Sequence, residues 1–188
     1  MNILRLVATG TALLIVGGCA DGRDMLGPTA PALSAQGQPS ELRASAARRI
    51  QTSGHFDAIV DFSTLTLTPR GRNCLLRVNG QLVFTGTIEG TAIGQTTALV
   101  LAPCSDVATS PPGSYPDVFR SELAFEGTVD GEPVRANVLY MGQVQPGGQI
   151  AGRLILSKGV QGRLQVEARV AVGGEYRGSV VVTWHAAG

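Results

Sequence analysis

From His55 onward, apolar and polar residues alternate with a period of two, and no other feature restricts this chain so strongly. Successive residues of a strand face opposite ways, so this period marks half-buried β-strands and excludes helices. Phe119, Leu123, Phe125 and Val129 share one face of a run whose other face carries Arg120, Glu122, Glu126, Thr128 and Asp130. Val160, Leu164, Val166, Ala168, Val170 and Val172 alternate with Gln161, Arg163, Gln165, Glu167 and Arg169. Tyr176, Val180, Val182 and Trp184 alternate in the same way with Glu175, Arg177, Ser179 and Thr183. The pattern predicts strands near 56–68, 74–89, 91–102, 118–129, 133–145, 149–157, 160–172 and 175–184.

The breaks at Asp130-Gly131, Pro146-Gly147-Gly148, Lys158-Gly159 and Gly173-Gly174 supply residues that accept positive φ in tight hairpins. Consecutive antiparallel hairpins are therefore the expected topology. Residues 103–117 interrupt the rhythm with Pro103, Pro111, Pro112, Gly113 and Pro116 and read as one long loop. Glycines recur on the apolar faces, at Gly80, Gly86, Gly127, Gly142, Gly152, Gly162 and Gly178, where a bare backbone permits strong coiling and closure. The expected fold class is all-β: an antiparallel, closed or nearly closed β-barrel of about eight strands, filled by apolar side chains.

Composition removes several functions. With 15 Lys and Arg against 14 Asp and Glu, the chain lacks the basic excess that phosphate neutralisation requires, so nucleic acid is not an expected partner. Two His and three Cys are too few for a zinc site of the usual type or a haem-attachment motif, and no metal or cofactor is expected. One Trp, three Tyr and five Phe cannot furnish the two aromatic girdles of a membrane-spanning barrel.

The N-terminus carries Arg5 and then an apolar run from Leu6 to Val16, broken only by Thr9, Gly10 and Thr11. At about 16 Å as a helix, this run is too short for a hydrocarbon core of about 30 Å and reads as a signal peptide. Val16-Gly17-Gly18-Cys19 resembles the bacterial lipobox. The resemblance implies that Cys19 is lipidated and becomes the first mature residue, giving the protein a membrane partner through its lipid anchor. Ala20 stands where an Asp would mark inner-membrane retention, so the resemblance implies the outer membrane of the cell envelope. Residues 20–54, rich in Ala, Pro, Ser, Gln, Gly and Arg, read as a flexible tether, with a short helical turn compatible with Ser40 to Ile50. The expected organisation is 1–18 signal peptide, 19–54 lipidated cysteine and tether, and 55–188 barrel.

Cys74 and Cys104 are the thiols left once Cys19 is lipidated, and in an oxidising compartment a disulfide is their expected state. A catalytic thiol would need His55 or His185, both at domain edges. Glu89, Glu122, Glu126, Glu167 and Glu175 all fall opposite the apolar residues, as do Arg120, Arg135, Arg153, Arg163, Arg169 and Arg177. These charges belong on the wet outer surface, and no catalytic residue is expected among them. Tyr140 and Trp184 share the core parity. They are the candidate ligand-binding residues if they line a barrel mouth, and end plugs of a filled core if their polar tips bond to backbone.

Leu82-Val83-Phe84-Thr85-Gly86-Thr87-Ile88-Glu89-Gly90-Thr91, Phe125-Glu126-Gly127-Thr128-Val129-Asp130-Gly131, Tyr140-Met141-Gly142, Gly159 to Leu164 and Gly174-Glu175-Tyr176-Arg177-Gly178 resemble an uncharacterised bacterial family related to the allene oxide cyclase barrel. The likeness covers about residues 55–184 and implies a calycin-like antiparallel barrel. None of the cyclase's catalytic residues can be matched onto positions here, so its activity is not implied. The expected function is that of a non-catalytic, lipid-anchored envelope lipoprotein whose barrel is structural or binds a small apolar ligand. The alternative is an isomerase or cyclase type of enzyme acting on an apolar substrate inside the barrel. Two features decide between them: whether the interior is filled or hollow, and whether an ionisable group points into it.

Overall fold

Eight antiparallel strands follow one another in chain order around a closed ring. They are β1 (Ala46–Arg70), β2 (Asn73–Gly86), β3 (Ile88–Val100), β4 (Asp117–Val129), β5 (Glu132–Val144), β6 (Gln149–Ser157), β7 (Val160–Arg169) and β8 (Gly173–Trp184). The structure, a computed structural model, describes residues 46–184 and the side chains of 47–183. The ring closes where β8 pairs with β1, from Ala46 opposite Trp184 to Asp57 opposite Gly173. The expected signal peptide, Cys19 and most of the expected tether lie outside the described residues.

The side-chain parity holds within the strands, but Val170 and Val172, expected on the inner face, fall in the β7–β8 turn, where Val172 is exposed. Phe125, Val129, Leu164, Val166, Tyr176, Val180 and Val182 are buried, while each of the strand glutamates and arginines named above is exposed. Glu126 pairs with Arg135 directly across β4 and β5 at 2.7 Å, and Arg177 reaches Glu167 at 3.1 Å. Such exposed pairs contribute little to stability. Asp130-Gly131 and Lys158-Gly159 both take positive φ at the two central turn positions, as a two-residue hairpin that continues the strand twist requires.

Four boundaries differ from the sequence reading, the first being the β2–β3 turn, which falls at Thr87 and not at the expected residue 90. The barrel begins at Ala46, so residues 46–54, expected as tether, are strand. Ile50, Thr52 and Phe56 point inward and Arg49, Gln51, Ser53 and His55 outward, but with Thr and Gly on the inner face the alternation carries little hydrophobic signal. The expected helical turn is likewise strand over 46–50. The β7–β8 turn falls at 170–172, with Ala171 at φ 54°, instead of at Gly173-Gly174. Gly173 lies within β8, so close to β1 that a Cβ there would overlap the Phe56 carbonyl oxygen. Finally, the long loop contains a one-and-a-half-turn helix, α1 (Cys104–Thr109), started by Pro103, whose fixed φ suits a helix entrance.

Cys74, at the start of β2, and Cys104, at the start of α1, sit with their sulfurs at disulfide-bonding distance and their Cα atoms 4.8 Å apart. Around them Val100 and Ala102 are buried, with Leu67, Leu76, Val107 and Tyr115 packed alongside. This small second core pins the long loop over one end of the barrel.

The interior is not uniformly filled, contrary to the expected filled core. At the end bearing the β2–β3, β4–β5 and β6–β7 turns, large inward residues interdigitate: Phe84, Ile88, Phe125, Val129, Val160 and Tyr176 are all buried. The Tyr176 hydroxyl accepts from the Ile88 amide at 2.9 Å and has the carbonyls of Thr85 and Ile88 each at 3.1 Å. Toward the other end the inward positions become small, with Ala58, Gly80, Ala98, Ser121 and Ala168, and there the barrel is hollow.

Candidate functional site

The hollow end encloses a cavity of about 470 Å³. Its walls are largely apolar, with Phe56, Val78, Leu82, Leu123 and Val144 from the strands and Val107 and Tyr115 from the loop segment above. A volume in this range suits one small organic molecule. On one side β1 runs on past Asp57, the last residue it pairs with β8, and carries a bulge: Asp61 pairs with Asn79 and Thr66 with Arg77, leaving residues 62–65 opposite Val78 alone. The Thr64 hydroxyl takes up the Asn79 amide at 2.9 Å, replacing a lost ladder bond. Phe62 and Leu65 on this bulge line the mouth while remaining about half and one-third exposed, at 51% and 36%.

Polar groups gather on the wall made by β3, β4 and β5. Thr96, Ser121 and Tyr140 are cross-strand neighbours, and the hydroxyls of Thr96 and Ser121 lie 2.7 Å apart in a hydrogen bond. Tyr140 is buried, its ring packed edge-on against Phe119 at 4.8 Å and Phe56 at 5.9 Å between centroids. Among the described residues, the buried side-chain polar atoms without a hydrogen-bond partner are Thr52 Oγ1, Asp117 Oδ1 and Tyr140 Oη. The last two belong to the cavity lining. Desolvation raises the Tyr140 hydroxyl pKa above the ordinary tyrosine value.

Tyr140 thus lines the cavity, and its tip does not bond to backbone as an end plug would. Trp184, the other candidate, pairs through its backbone with Ala46 at the opposite end of the barrel, and its side chain is outside the described residues. The strand glutamates take no part in the site. Asp117 does, and the sequence reading missed it. It opens β4 at the parity of Phe119, Ser121 and Leu123, so continuing the alternation one residue further back would have placed it inside. Burial alone pushes its carboxyl from 3.8 up to about 6. Arg169 also borders the cavity, but its side chain stands in solvent.

Among the described residues no group of three or more His, Cys, Asp or Glu side chains could hold a metal ion, and no helix is long and apolar enough to cross a membrane. The chemistry that lines the cavity therefore includes apolar burial, the Asp117 carboxyl, the free Tyr140 hydroxyl and the hydroxyl pairs Thr96–Ser121 and Ser110–Tyr115. No protein-family model matches the chain. No curated protein matches it either. Among solved structures, it is similar to a protein of unknown function from the DUF3224 family of Shewanella oneidensis MR-1, at 16% identity and a TM-score of 0.44, over 71% of this chain and 96% of that one.

Proposed function

We propose that the protein is a binding protein of the cell envelope, lipid-anchored at Cys19 to the outer membrane, that holds one small and largely apolar molecule in the barrel. The observation that carries this reading is the cavity of about 470 Å³, apolar over most of its wall. A tightly packed barrel would have placed large side chains at Ala58, Ala98 and Ala168, because empty apolar space forfeits dispersion contacts. A ligand burying about 300 Å² of apolar surface gains about 7 kcal/mol from burial before the cost of association.

One observation favours the enzymatic alternative. A carboxyl raised to about 6 at the cavity rim is suited to accept a proton near neutral pH, which an isomerase would require of Asp117. Such an enzyme also needs a proton donor, and the group on the same wall, the Tyr140 hydroxyl, is made a weaker acid by its burial. Binding without turnover is the better fit.

The test uses the neutral fluorescent probe N-phenyl-1-naphthylamine. Probe fluorescence is expected to rise with the wild-type chain and to fall away in Ala98→Leu, which fills the cavity from a buried lining position. Glu122→Gln and Glu126→Gln, on the outer face, are expected to leave it unchanged. Equal binding by Ala98→Leu and wild type would place the ligand elsewhere and overturn the reading. The anchor is tested separately: Cys19→Ser is expected to leave the membrane fraction, and its retention there after a high-salt wash would refute the anchor.

A further inference from the structure

We propose that the ligand is a cationic amphiphile, a protonated amine on an apolar body, with its ammonium group at Asp117 and its body directed inward past Phe119 and Tyr140 toward Phe56. The inference rests on the binding reading above and adds the head-group chemistry.

Position is the first argument. Asp117 pairs with Val100 and Val144, the last residues of β3 and β5, so it stands at the rim where a polar head meets entering water. Phe119, Ser121 and Leu123 occupy the following inward positions, each about 6.6 Å deeper along β4. A molecule whose head stays at the rim therefore lays its body past Phe119 and the Ser121 hydroxyl toward Leu123.

Charge is the second. Asp117 and Arg169 are the charged residues of the lining, and they differ in setting. The Arg169 side chain is exposed at the end of β7, whereas Oδ1 of Asp117 is buried and unpartnered. Burial raises the Tyr140 hydroxyl pKa, so that group stays neutral and offsets no charge. The carboxyl's raised pKa arises from desolvation alone, so no neighbouring cation compensates it. Any ligand that displaces water from this rim deepens that desolvation. A neutral head forces the carboxyl to take up a proton, and an anionic head adds repulsion in a poorly screened site. An ammonium head instead leaves the carboxylate ionised and supplies the missing donor.

The aromatic lining is the third. Tyr140 packs edge to face against both Phe56 and Phe119, and all three rings belong to the cavity lining. Aromatic rings attract cations at their faces and add nothing there for a carboxylate. The unpartnered Tyr140 oxygen is a further acceptor for a donor-bearing ligand.

The experiment compares decylamine, decanol and decanoate as displacers of N-phenyl-1-naphthylamine from the full chain carrying Cys19→Ser, purified without detergent and used below the micellar concentrations. At neutral pH the amine is expected to displace the probe about tenfold more tightly than the alcohol, and decanoate is expected to be the weakest. In Asp117→Asn the amine's advantage over the alcohol should disappear while the alcohol itself binds as before. Equal affinity for the three heads in the wild-type barrel, or an amine preference that survives Asp117→Asn, would overturn the inference and leave the binding reading standing. Failure of the probe and all three compounds to bind would overturn both. If Asp117→Asn does not fold by circular dichroism, the order of the three heads on the wild-type barrel decides.

Discussion

Asp117→Asn tests the electrostatics of the cavity without any ligand. Burial raises the carboxyl from the ordinary 3.8 to about 6, so the folded chain holds this proton more tightly than the unfolded chain does. The stabilisation from the protonated acid is fully present below the unfolded value and is lost as pH rises through about 6. The interval from 3.8 to about 6, at about 1.4 kcal/mol per pH unit, sets a ceiling of about 3 kcal/mol. The carboxyl is partly solvated at the rim, and screening reduces the expected effect to about 1 to 2 kcal/mol. Urea unfolding of wild type and Asp117→Asn, with the disulfide intact, should therefore give a stability difference that moves in favour of the variant by that amount between about pH 4 and about pH 8. Other titrating groups are common to both proteins and cancel. A difference that stays constant across the range would show that the carboxyl is not desolvated, and one that moves against the variant would reveal a cationic partner. Either result refutes the reasoning.

Tyr176→Phe leaves the buried Ile88 amide without its 2.9 Å acceptor and is expected to cost about 1 to 3 kcal/mol in urea unfolding; an unchanged midpoint would deny that hydroxyl its role in holding the filled end. Cys74 and Cys104 should appear linked in mass spectra of unreduced native protein. Because they close a 30-residue separation, reduction is expected to lower stability by about 3 to 4 kcal/mol. Two alkylatable thiols in native material would refute the bond.

Much of the architecture was legible in the chain because strand parity is a local property. Phe119, Leu123 and Phe125 against Arg120, Glu122 and Glu126 define an inside and an outside before any partner strand is known. The turn chemistry of Asp130-Gly131 and Lys158-Gly159 is likewise carried by adjacent residues. From these, antiparallel order and an all-β ring follow. The start of β1 was not legible, since Ile50, Thr52 and Gly54 offer one large apolar side chain in three inward places, and only pairing with β8 reveals them as strand.

The site belongs to the tertiary structure for a different reason. Whether a barrel is full depends on the summed volume of side chains contributed at one level by all eight strands. Ala58, Gly80, Ala98, Ser121 and Ala168 are each unremarkable in sequence and leave a cavity only when the closed ring brings them around one space. Asp117 looks like a loop residue beside Pro116 until its β3 and β5 neighbours, Val100 and Val144, flank it at the rim and its carboxyl is partly desolvated. Desolvation is imposed by groups distant in the chain, so the sequence by itself determined the barrel and its two faces, and closure of the ring decided where it is hollow and which acid faces the space.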